Sequence, residues 1–125
     1  MTDMHSLTKK VKGTILIQKY EKKNDAMISG IVGAAIGDAI GVPVEFLYRK
    51  QLSENPVTGM RAHGTHNQPA GTWSDDTSMI LATASVLSGM EFDPERIATA
   101  FLNWRDHGAF SPDGMVFDIG LTTNT

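Results

Sequence analysis

A chain of 125 residues, 41% of them hydrophobic, makes one domain at most, and at this length folding buries about two thirds of the surface that the unfolded chain exposes. Its 11 basic and 14 acidic residues leave a net charge of -3, which offers no broad attraction to a phosphate backbone or an anionic bilayer, so nucleic acid and membrane are set aside as partners. With no cysteine there is no disulfide framework, thiolate nucleophile or zinc ribbon, and any chemistry must come from carboxylates, hydroxyls, histidine or a bound ion.

Residues 1–23 are mixed polar and basic, with a short β-leaning run over residues 14–17, and are expected to form a loosely ordered leader ahead of a domain over residues 24–125. They lack the uninterrupted apolar stretch and small-residue cleavage site of a secretory signal. Lys19, Lys22 and Lys23 read more simply as a solvated charge run than as a nucleic-acid patch. The longest apolar run, from Ile28 to Val44, is interrupted by Asp38 and several glycines and falls short of the about 20 apolar residues that span a bilayer. A cytoplasmic protein is expected.

Asn24 or Asp25 can cap a helix that runs to Ile40, and Gly30, Gly33, Ala34, Gly37 and Gly41 recur along it at spacings of three and four residues. Each internal glycine costs about 1 kcal/mol relative to alanine, so one small-residue face must gain something by close approach. Tight helix packing and the approach of a ligand or metal-binding loop both answer to that description. Pro43 then stops the helix, and Glu45 follows among apolar neighbours. Burial would raise its pKa toward the range useful for proton transfer, whereas a turn glutamate is more often simply exposed.

Residues 48–72 carry Gly, Pro, Asn and Ser with little periodicity and read as a long loop, which in a compact domain is often functional. His63 and His66 lie three apart within it, but Gly64 and the neighbouring turn residues argue against a helical zinc pair, and no third ligand is close in sequence. The loop ends in Gly71-Thr72-Trp73-Ser74-Asp75-Asp76-Thr77-Ser78-Met79. Adjacent carboxylates flanked by hydroxyls suit a hard cation such as Mg²⁺, Mn²⁺ or Ca²⁺. Equally, Ser74 is a good N-cap, and Asp75 and Asp76 complement the positive end of a helix dipole with no metal at all.

That helix is expected over residues 77–87, with Gly89 as its stop. Asp93-Pro94-Glu95 opens another, which carries Ile97, Phe101, Leu102 and Trp104 as core residues and stops near Gly108. Phe117-Asp118-Ile119-Gly120-Leu121-Thr122-Thr123-Asn124-Thr125 looks like a further capped start.

Three stretches, Gly37-Asp38-Ala39-Ile40-Gly41-Val42-Pro43-Val44-Glu45-Phe46, the loop-to-helix segment around Gly71-Thr72-Trp73-Ser74-Asp75-Asp76-Thr77, and Phe117-Asp118-Ile119-Gly120-Leu121-Thr122-Thr123, stand together in this order. As a set they resemble the N-terminal part of the ADP-ribosylglycohydrolase family, which includes the dinitrogenase-reductase-activating glycohydrolases. The resemblance covers about residues 25–125. It implies an all-α orthogonal helical fold, present here as an incomplete N-terminal portion, and a binuclear Mg²⁺ or Mn²⁺ centre that hydrolyses the bond between ADP-ribose and a modified side chain such as arginine. The implied partners are an ADP-ribosylated protein or a small ADP-ribosyl compound.

By the same resemblance Ser74, Asp75 and Asp76 are the first group of metal ligands, Glu45 is the catalytic acidic residue near the scissile ribose, and Asp118 and Gly120 belong to the substrate loop. Ser74 departs from the family's usual threonine; the hydroxyl survives, though the lost methyl loosens its rotamer. The family's second Asp-x-Asp-Thr ligand group has no counterpart in these 125 residues. The expectation is therefore weak or absent turnover in a truncated chain, with apolar helix faces left exposed and with self-association or a complementing C-terminal half completing the site. A non-catalytic remnant that binds ADP-ribose or protein, and an unrelated small helical interaction domain, are the competing readings.

Overall fold

The computed structural model describes residues 4–89 and 92–120, with side chains from Lys22 onward. Its regular elements are helices: α1 (Met4–Gly41), a single 3-10 turn (Val42–Val44), α2 (Arg49–Glu54), α3 (Asp75–Leu87) and α4 (Pro94–His107). Among the described residues β pairing is confined to one isolated antiparallel bridge, His63 with Gln68. The fold is all-α.

The chain forms two compact units, Met1–Val32 and Gly33–Thr125, and the boundary falls inside α1. In the first, the described residues are helical from Met4, well ahead of the start expected at Asn24 or Asp25. The β-leaning run over residues 14–17 is part of that helix. Its β-branched residues cost only a few tenths of a kcal/mol each in a helix, and the lysines, leucines and glutamine around them are good helix formers. The stretch Lys22–Val44, which runs from α1 through the 3-10 turn, has 23 residues and a mean hydropathy of 1.7 and is long and apolar enough by length and composition alone to cross a bilayer. Core helices of water-soluble proteins pass the same test.

The second unit is built on α3 against α4. Ala82 and Trp104 are almost wholly buried, with Val86 beside them in the core, and Ala39 and Val42 are buried at the end of α1 and in the turn after it. Ile80, Leu87 and Leu102, on the outer sides of the same two helices, are exposed. The helix α4 is closed by its own sequence signals. Asp93 Oδ1 accepts from the N–H groups of Glu95 and Arg96 at 3.0 Å each, Pro94 occupies the first turn where its missing N–H is not needed, and Gly108, at φ +68°, ends α4. A side chain at Gly108 would also collide with the carbonyl of Gly114.

The long connection between residues 48 and 72 is not structureless. It holds α2, whose first turn is closed by Tyr48 N–H donating to Gln51 Oε1 at 2.9 Å, and then a turn over residues 62–68 that docks on the end of α1. Thr65 N–H donates to the Pro43 carbonyl at 3.1 Å and Thr65 Oγ1 donates to the Glu45 carbonyl at 2.6 Å. Gly64 sits at φ +33° where any Cβ would run into Pro43, so only glycine lets the two backbones meet. The helix start read at residues 117–125 falls partly outside the described residues; over residues 115–120 the chain is irregular.

Candidate active site

Asp38, near the C-terminal end of α1, faces the start of α3 and organises it. Its Oδ1 accepts from Ser74 Oγ at 2.8 Å, and its Oδ2 accepts from Ser74 N–H at 3.0 Å, Thr77 N–H at 3.1 Å and Thr77 Oγ1 at 2.6 Å. A carboxylate on these donors answers the unpaired amides of a helix N-terminus and the positive end of its dipole together. Ser74 is the N-cap, as its residue type suggests, but its cap bond to Asp76 N–H is long, at 3.4 Å. The stronger capping group comes from another helix.

That arrangement orients the serine hydroxyl. Its hydrogen is committed to Asp38, so its lone pairs remain for the Asp76 amide and for a further electrophile. In the sequence Asp38 stands as an acidic residue that interrupts an apolar run and within the first of the three family stretches, with no role given to it; an aspartate among the small residues of a Gly-rich helix was the available signal.

Glu45, Asp38, Ser74 and Asp76 line one cleft of about 490 Å³, floored by Ala34, Gly37 and Gly41 of α1 and by Val42. Among the described residues no atom of another element lies within 4 Å of where a Cβ would stand on Gly37 or Gly41. Neither position packs tightly against another described element. The same holds at Gly33 among the described residues.

The sequence-predicted residues fall into two linked sets. Ser74 and Asp76 share the cleft with Glu45, whereas Asp75 turns to the 117–120 segment, its Oδ2 accepting from Gly120 N–H at 3.2 Å. Asp118 lies beside Glu45, and these two carboxylates together with His66 place one ligand-type atom each within 4.8 Å of one another. His66 Nε2 is 2.6 Å from Glu45 Oε2 and 3.7 Å from Asp118 Oδ2. His66 was seen in the sequence as half of a weak zinc pair; instead His63 turns to Asn67, Nδ1 to Oδ1 at 3.1 Å, and His66 joins the acidic cluster. Phe46 and Asp118, each next to or within this cluster, have left-handed φ values of +61° and +53°, a conformation that costs roughly 1 kcal/mol or more for a residue with a side chain.

Charge is crowded here. Although Asp76 stays accessible to solvent, partial burial pushes its carboxyl above the ordinary value of 3.8, and the negative charges of Asp75, Asp38 and Asp118 add to the effect. Asp118 is raised as well, first by burial, then by its hydrogen bond and charge contact with Glu45, with His66 opposing and Asp38 reinforcing. Hard oxygen donors under mutual repulsion, with a serine hydroxyl already turned toward them, are a donor set that fits a divalent cation of the Mg²⁺ or Mn²⁺ kind.

The family model for ADP-ribosylglycohydrolase matches residues 19–125, the whole of the second unit and the end of the first. The chain belongs to the ADP-ribosylglycohydrolase family. Within it, the chain is similar to an ADP-ribosylarginine hydrolase, Tri1, of Serratia proteamaculans (strain 568), 41% identical over 109 residues that make up 86% of this chain and 29% of that protein. A second Tri1 ADP-ribosylarginine hydrolase, from Pseudomonas putida (strain GB-1), is 39% identical over 104 residues, 82% of this chain and 27% of the relative. A putative ADP-ribosyl glycohydrolase of Acanthamoeba polyphaga mimivirus is 29% identical over 102 residues, 76% of this chain and 29% of its own. The match to each of these three relatives thus takes in between 27% and 29% of its length. In this ADP-ribosylglycohydrolase chain the matched region contains Asp38, Glu45, His66, the residues around Ser74, and Asp118.

Proposed function

We propose that this chain forms one side of a metal-dependent hydrolase site that cleaves the glycosidic bond between ADP-ribose and a modified side chain, with ADP-ribosylarginine the favoured substrate. The observation that carries the reading is the convergence of Glu45, Ser74 and Asp76 on one cleft in a chain of this family. The choice of arginine rests on the printed activity of the two Tri1 relatives.

In the proposed reaction a water oxygen joins the anomeric carbon of the ribose, the bond from that carbon to the guanidino nitrogen breaks, and the nitrogen leaves with a proton. Glu45 takes the proton from the water and returns it to the leaving nitrogen. Ser74, Asp75 and Asp76 would hold Mg²⁺ or Mn²⁺, which when bound supplies positive charge and lowers the pKa of a coordinated water. Asp38 keeps the Ser74 hydroxyl turned for that task, and Asp75, through Gly120 N–H, ties the ligand group to the segment bearing Asp118. The floor of Gly37 and Gly41 leaves space for the sugar against the helix backbone. Since these 125 residues contain no second Asp-x-Asp-Thr group, turnover by this chain alone is proposed to be weak, and a complementing C-terminal half or a second copy is the proposed source of further ligands.

The test is hydrolysis of ADP-ribosylarginine by the purified chain with Mn²⁺ or Mg²⁺, beside the Glu45→Gln variant. The expected result is slow, metal-dependent release of ADP-ribose that Glu45→Gln abolishes while Mn²⁺ binding persists. Undiminished turnover by Glu45→Gln removes the role given to Glu45; binding of ADP-ribose with no turnover by the wild-type chain assigns a binding module instead.

A further inference from the structure

The group that holds Glu45 in the cleft is not among the residues that the family motifs pointed to. Glu45 follows the 3-10 turn and its side chain is partly exposed, so a free glutamate there would sample several rotamers and aim at the cleft only part of the time. The side chain of His66 is 15% exposed, and its Nε2 lies 2.6 Å from Glu45 Oε2. A carboxylate oxygen only accepts, so the imidazole presents its N–H on Nε2 to Glu45. Oε2 of Glu45 is thereby held, and Glu45 is one of the residues that line the cleft.

The imidazole is itself held. Its ring lies 6.0 Å from the Phe46 ring and 5.5 Å from the Phe117 ring, both tilted, so neighbours of Glu45 and of Asp118 flank it. Its loop is anchored to the backbone that carries Glu45, through Thr65 to the carbonyls of Pro43 and Glu45 and through the close approach at Gly64. The His66 loop and the Glu45 turn therefore form one unit, with Asp118 Oδ2 at 3.7 Å from the same nitrogen.

We propose that His66 is a positioning residue for Glu45: its Nε2–H fixes the rotamer in which Glu45 faces the substrate cleft. The proposal rests on the hydrolase reading above for its purpose, and on the His66–Glu45 contact for its mechanism.

Two measurements on the 125-residue chain test it. In the imidazole region of a proton–nitrogen NMR spectrum, the His66 Nε2–H is expected as a slowly exchanging resonance, assigned by its loss in His66→Gln and shifted in Glu45→Gln. A His66 signal that Glu45→Gln leaves in place shows that the contact is not made and overturns the proposal. In kinetics, His66→Leu, which keeps an apolar filling between the two phenyl rings, is expected to lower kcat roughly ten- to a hundredfold with KM changed less than about twofold. His66→Gln, whose amide N–H reaches a similar point, is expected to restore most of that loss. Unchanged kcat in His66→Leu beside a Glu45→Gln variant that has lost turnover also overturns it. The spectrum needs no turnover, so a chain without hydrolysis removes the hydrolase reading and leaves the positioning of Glu45 to be decided by the resonance.

Discussion

Ser74 Oγ donates a 2.8 Å hydrogen bond to Asp38 Oδ1, so the hydroxyl that opens α3 is aimed by a carboxylate 36 residues earlier in the chain. The same carboxylate takes the Ser74 and Thr77 amides and the Thr77 hydroxyl. Removing it strands donors that sit in a partly buried place.

Asp38→Ala is accordingly expected to destabilise the fold by about 3 kcal/mol, the order of several charge-assisted bonds lost with their donors left unpaired. Ser74→Ala removes the weaker local cap and one of the four bonds to Asp38, leaving the other three in place, and is expected to cost less, about 1–2 kcal/mol. Urea unfolding followed by circular dichroism separates the two; equal losses would mean that Asp38 does not carry the helix start.

Gly64→Ala is expected to cost about 2 kcal/mol or more, because the new Cβ meets the Pro43 backbone and the residue sits at φ +33°. Gly59→Ala, where nothing lies within 4 Å, serves as the control and is expected to stay within about 0.5 kcal/mol of the parent. Unfolding midpoints of the two variants decide it, and a neutral Gly64→Ala would mean that the loop is not seated on Pro43.

Asp76→Asn is expected to weaken Mn²⁺ binding roughly tenfold, since it removes charge from the donor set lining the cleft. Asp75→Asn is expected to weaken binding and also to speed amide exchange at Gly120, whose N–H rests on the Asp75 carboxylate. Calorimetric titration gives the first effect and hydrogen exchange the second; exchange at Gly120 unmoved by Asp75→Asn would show that this link is not held in solution.

The raised carboxyls of Asp76 and Asp118 set the pH dependence. Both groups titrate near 3.8 when unfolded and higher when folded, so the folded chain holds their protons longer. Their contribution to stability is fully present below the unfolded value and is lost as the pH rises through the raised folded values. The metal-free chain should therefore lose part of its stability on passing up through that range. A cation that displaces those protons should raise Tm more at neutral pH than in acid, which thermal scans with and without Mn²⁺ measure directly. A Tm increment that does not grow with pH would disconnect the cation from this cluster.

Much of the helical layout was legible because its signals are local. Asp93 with Pro94 opens α4 and Gly108 closes it as read, since a cap, a ring that needs no N–H and a left-handed glycine act within one turn. The start of α1 was misplaced by about twenty residues for the converse reason. Asn24 and Asp25 are good caps, yet good helix formers on both sides of them let the helix continue through. The 48–72 stretch read as one loop because α2 is only six residues long, below the length at which periodicity shows.

The site divides along the same line. From the sequence alone one can determine the all-α class, the family resemblance, and the chemistry available at Glu45, at Ser74, Asp75 and Asp76, and at Asp118 and Gly120, because residue type and short spacing carry that information. Which of these groups meet was decided only by the tertiary structure. It set Asp38 against the start of α3, joined Asp75 to Gly120, and carried His66 out of an imagined zinc pair to Glu45. Each of those contacts joins residues 21 to 45 positions apart, across helices and turns whose packing is set by buried area and paired hydrogen bonds, and no local pattern encodes such a distance.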